Sequence, residues 1–145
     1  IMLWALGRND PEAWLAPGEA MQPLIAENDG PFKHHLDRYK YPGRHANADP
    51  LQHQAEAMAF VTRLEDRLAA SGWLFGSKPS LADAAVFPFV RQFAATDADW
   101  FAARPVPAVH QWLDRQLRSP LFKQVMTKWP QWHAGDVEPL FPLPS

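Results

Sequence analysis

Cysteine is absent from all 145 residues. That excludes disulfides, thiolate metal sites and a cysteine nucleophile within this chain. No apolar run approaches the roughly 20 residues that cross a bilayer. The apolar start "IMLWALG" is short and lacks the basic flank of a signal peptide. Strong charge of either sign is missing too: the formal net charge is -2, which creates no field to recruit nucleic acid or an anionic membrane. No alternating strand pattern, hairpin turn or fixed-period repeat stands out. Neither a Gly-rich phosphate loop nor a Gly-x-Ser-x-Gly elbow occurs. A reducing cytosol is compatible with this composition, and a cytoplasmic location is expected, with no nucleic-acid or membrane partner.

What is present is apolar and helical. Hydrophobic residues make up 47% and charged residues 21%, enough for one domain with a real core. Prolines and glycines mark the segment ends. "RNDPEAWL" predicts a helix start, with Asn9 or Asp10 as cap and Pro11 in the first turn. "GEAMQPLIAEND" is amphipathic and carries Pro23. "GPFKHHLDRYKY" puts Phe32, Leu36 and Tyr39 on one face before Pro42 and Gly43 stop it. "ADPLQHQAEAMAFVTRLEDRLAASGW" gives the clearest helix, capped by Asp49, opened by Pro50 and ended by Gly72. Its stripe is Ala57, Phe60, Val61, Leu64 and Leu68. Two more follow, with faces Val109, Trp112, Leu113 and Leu117, then Leu121, Phe122, Val125, Met126 and Trp129. The ending "PQWHAGDVEPLFPLPS" is too irregular for a helix, with Trp132, Leu140 and Phe141 as anchors. The fold class is all-α, a helical bundle with one core.

Chemistry-bearing patterns are sparse. His34 and His35 are adjacent, so on a helix they point about 100° apart and are not expected to grip one ion together. The other four histidines lack ligand spacing, and no metal site is expected. The basic run Lys33, His34, Arg38, Lys40 and Arg44 reads as a solvated face with Asp37 as local partner, or as a wall for an anionic small molecule. Trp100, in "TDADWF", and Trp132 fall in predicted loops.

The sharpest local motif lies in "SKPSLADAAVFPFV". Ser80 and Asp83 form an aspartate capping box at the start of a helix that is apolar almost all round. Asp83 also stands at the positive end of the helix dipole. Pro88 then interrupts the same helix, which predicts a kink.

The stretch "GWLFGSKPSLADAAVFPFVRQF" resembles the C-terminal helical domain of the cytosolic glutathione S-transferase superfamily. There a Ser-x-x-Asp box opens the central buried helix and acts as a folding element. "FKHHLDRYKYPGR" and "PAVHQWLDRQLRSPLFKQV" are similar to bacterial members, and the resemblance runs from about Pro11 onward. It implies three parts: residues 1–8 as the end of a preceding thioredoxin-like domain, 9–133 as the bundle, and 134–145 as a proline-rich tail. It also implies that the glutathione site and its Ser, Tyr or Cys lie in that preceding domain, so no catalytic residue is assigned here.

The function implied is the C-terminal half of a transferase that conjugates or reduces small electrophiles or disulfides with glutathione as co-substrate. This half would form the apolar co-substrate wall and part of a homodimer interface. Phe32, Tyr39 and Arg91 are the substrate-binding candidates, and Ser80 and Asp83 the structural box. A non-catalytic helical interaction module of the same fold is the alternative.

Overall fold

Proline and glycine punctuation carries over into three dimensions for most of the chain. The computed structural model describes residues 1–138. Its helices are α1 (Met2–Leu6), α2 (Gln22–Glu27), α3 (Lys33–Lys40), α4 (Pro50–Ser71), α5 (Leu81–Thr96), α6 (Ala98–Ala102), α7 (Pro107–Arg118) and α8 (Pro120–Val125). Short 3-10 turns at Gly18–Met21 and Pro42–Arg44 and a π turn at Asn28–Phe32 join them. Among the described residues there is one isolated antiparallel bridge, Trp73 to Gly76, and no strand.

The long helix α4 starts and stops where its sequence signals lie. The Asp49 side chain accepts from the amide of Leu51 at 2.9 Å and of Gln52 at 3.4 Å, and Pro50 fills the first turn. Gly72 ends the helix at φ 79°, a left-handed conformation open to glycine at little cost. All five stripe residues, Ala57, Phe60, Val61, Leu64 and Leu68, are buried. They meet Val86, Val90 and Phe93 of α5, Val109 and Trp112 of α7, and Phe32 and Leu36 in one core.

Several expectations change. "RNDPEAWL" is a turn, because the Asp10 carboxylate captures the amides of Trp14 (2.8 Å) and Leu15 (2.9 Å) before a helix can claim them. "TDADWF" is the short helix α6, its Trp100 amide held at 3.0 Å by Asp97. Residues 18–40 run as one nearly continuous helical path, since the π turn absorbs Pro31 instead of stopping the chain. Leu117, at the end of the α7 stripe, is exposed.

Helix α5 is unbroken from Leu81 to Thr96, with Pro88 inside it. Pro88 sits on its exposed side. The carbonyl of Ala84, which loses its amide partner to the proline, lies on that same side, so no break is forced. The largest correction concerns α8. Leu121, Val125, Met126 and Trp129 were expected to be buried, but all are exposed, and only Phe122 packs against the core. Trp132 is exposed as well, while Leu140 and Phe141 lie outside the described residues.

Candidate functional site

The start of α5 organises the interior. Asp83, 1% exposed, completes the reciprocal capping box with Ser80. Its Oδ2 accepts from the Ser80 amide at 2.9 Å and the Ser80 hydroxyl at 2.7 Å. Its Oδ1 accepts from the Leu74 amide at 3.1 Å and the Trp112 indole N–H at 2.9 Å. One carboxylate thus ties the loop after α4, the start of α5 and the middle of α7. The role is structural, since every oxygen is committed inside the core. A second long-range carboxylate acts alike: Glu65 of α4 accepts from the amides of Ala108 and Val109, both at 2.9 Å, and so caps α7.

Two open grooves flank Arg91. One, of about 490 Å³, is lined by the small residues Ala94, Ala95, Ala98 and Ala102 with Phe101, His110 and Leu113. The other, of about 380 Å³, lies beside Pro88 and is walled by Phe87, Leu121, Phe122, Val125, Met126 and Met2. Arg91 lines both. Its guanidinium lies 5.5 Å from the Phe122 ring centre, and its buried Nε has no partner among the described residues. The groove beside Pro88 is thus mostly apolar, with the Arg91 side chain at its edge.

The three substrate-binding candidates are not brought together. Phe32 is 1% exposed and stacks on Phe60 at 4.5 Å, so it is core. Tyr39 packs on Phe93 at 5.6 Å, and its hydroxyl accepts from Gln54 at 2.8 Å. Neither lines either groove. Of the three, Arg91 alone lines them. The missed wall residues, Phe122 and Val125, show in the sequence only as an apolar stripe, which reads the same whether a neighbour covers it or not.

The basic run on α3 is largely committed within the chain. Lys33 pairs with Asp37 at 2.5 Å, Arg38 donates to the His34 carbonyl at 3.3 Å, and Lys40 donates to Gln92 on α5 at 3.1 Å. Arg44 lies over the Tyr41 ring at 4.4 Å. None of Lys33, His34, Arg38, Lys40 and Arg44 lines either groove beside Arg91.

The expectation that His34 and His35 cannot act together fails on geometry. Both rings flank His53 of α4, with centroid separations of 5.0 Å between His34 and His35, 5.8 Å from His34 to His53 and 5.1 Å from His35 to His53. A difference of about 100° around the helix axis separates side-chain roots, not ring nitrogens, and a third ring on the adjacent helix closes the gap. Partial desolvation, then the Arg38 charge and the neighbouring imidazoles, hold His34 below the ordinary imidazole value. Desolvation, then His35 and Arg38, lower His53 against an opposing pull from Asp49.

No helix among the described residues is long and apolar enough to cross a membrane. A family model described as glutathione S-transferase, C-terminal domain, matches residues 22–115, from the start of α2 to late in α7. No curated protein matches the chain.

Proposed function

Because the chain belongs to the glutathione S-transferase C-terminal domain family, we propose that it is the helical half of a cytoplasmic, glutathione-dependent enzyme. In this reading an upstream thioredoxin-like domain binds glutathione and activates its thiol. Such enzymes lower the thiol pKa and hold an electrophile against the thiolate. The helical half contributes the holding, and part of a homodimer interface.

The observation that carries this reading is the apolar groove beside Pro88, with Arg91 at its edge. Phe87 and Phe122, 5.3 Å apart and edge to face, give it an aromatic floor. An apolar electrophile or disulfide gains by leaving water there, and the Arg91 guanidinium at the rim offers an oxygen acceptor a charge-assisted bond. Exposed side chains of both α1 and α8 line the groove, Met2 from the one and Leu121 and Val125 from the other, and Leu3 and Trp4 of α1 are exposed as well. An upstream domain packed on that surface would wall the groove on its open side.

The test uses the intact polypeptide, with whatever precedes Ile1, assayed with glutathione and a panel of electrophiles and disulfides. Turnover is expected from the intact protein and none from residues 1–145 alone. Arg91→Ala is expected to raise KM for acceptor-bearing electrophiles while KM for glutathione holds. An intact protein that neither binds glutathione nor turns over any substrate would remove the proposal, and would leave an interaction module of the same fold.

A further inference from the structure

We propose that His34, His35 and His53 form a binding site for one first-row divalent transition-metal ion of the Zn2+ class, which staples α3 to α4. One ring nitrogen from each of the three lies within 4.8 Å of the others. The tightest pair is His35 Nδ1 and His53 Nδ1, 2.9 Å apart. Two ring nitrogens at that distance need a proton between them, so one must donate while the other accepts. A metal ion can replace that proton and accept both lone pairs at once.

The geometry is near what such an ion requires. Zn–N bonds of about 2.0–2.1 Å at tetrahedral angles put ligand nitrogens roughly 3.3 Å apart. The close pair must open slightly and the third ring must swing inward. His34 is exposed and His35 and His53 half-buried, so rotation about χ1 and χ2 supplies this without moving the helices. Three imidazoles with no thiolate suit Zn2+, Cu2+ or Ni2+ better than Mg2+ or Ca2+. A fourth position stays open to water.

The surrounding charges set limits on affinity. Arg38, one turn beyond His34, opposes a cation, as does any protonated His45; Asp49, which caps α4, favours one. None of the three histidines lines either groove beside Arg91. The ion's role is therefore to hold two helices together and not to touch a substrate there.

The proposal is tested on the tag-free chain by Zn2+ titration against a chromogenic chelator and by Co2+ absorption. One Zn2+ per chain is expected, with cobalt bands of tetrahedral intensity and a higher melting temperature in zinc. His53→Gln and His34→Ala are each expected to weaken binding by about tenfold or more, and His110→Ala to leave it unchanged. Circular dichroism and metal-free unfolding show whether each variant is folded; His34, being exposed, keeps the test usable if His53→Gln is not. Zn2+ and Cu2+ that fail to bind the wild type, or bind a folded His34/His35/His53 triple alanine variant equally well, would overturn the site.

Discussion

Four donors meet the two oxygens of Asp83: the amide and hydroxyl of Ser80, the amide of Leu74 and the indole of Trp112. In a buried place each orphaned donor costs its desolvation, about 1–3 kcal/mol. Asp83→Ala strands the Leu74 and Ser80 amides and the Trp112 indole together. We expect a loss of about 3–5 kcal/mol in urea unfolding, well above the ~1 kcal/mol of an exposed cap. In the intact protein at a temperature where the variant stays folded, ligand affinity should not change. A loss near 1 kcal/mol would mean that water satisfies the stranded donors. Ser80 and Asp83 are legible in the sequence because they sit three residues apart and capping is local. Leu74 and Trp112 are not, because packing alone decides which distant N–H groups reach a carboxylate. Trp112 reads correctly as core, but its indole partner is invisible to helical periodicity.

At the scale of elements, stripes and caps identify α4, α5 and α7 well, and fail where competition is settled by a single side chain. Asp10 turns a helix start into a turn by taking two amides. Glu65 caps α7 from 43 residues away, where no cap can be read beside Val106. Pro88 is the opposite case, a strong local stop signal inside a helix that continues past it. It lies inside an unbroken α5 and leaves the Ala84 carbonyl without its helical partner. Pro88→Ala restores an N–H at that position, at the cost of a freer unfolded chain. The net expectation is a gain of about 1–2 kcal/mol, read as a higher urea midpoint at constant m-value. A drop in stability instead would show that the proline ring is held by the groove it borders.

For the whole molecule, the informative error is α8. Its apolar spacing reads as a buried face, yet Leu121, Val125 and Met126 are each about half exposed, at 50%, 51% and 50%, and Met2 of α1, on the same groove, is 46% exposed. Periodicity reports that a face is apolar, not whether this chain covers it. A contiguous apolar face of this kind on an isolated domain favours association or dye binding. The chain on its own is therefore expected to self-associate at tens of micromolar, by light scattering behind gel filtration, and to bind an apolar dye. Val125→Glu places a charge in the middle of the face without touching the core, so it should return a monomer, lower dye binding and leave the unfolding midpoint within ~0.5 kcal/mol of wild type. Fusing the upstream domain should suppress association through this face, and dye binding, to the same extent if that domain packs on α1 and α8, because one surface cannot be covered twice, while a homodimer formed through another face persists. A monomeric, dye-silent wild type would mean that the exposed side chains of α8 fold back on themselves in water, and would take away the support that this face lends to an upstream partner.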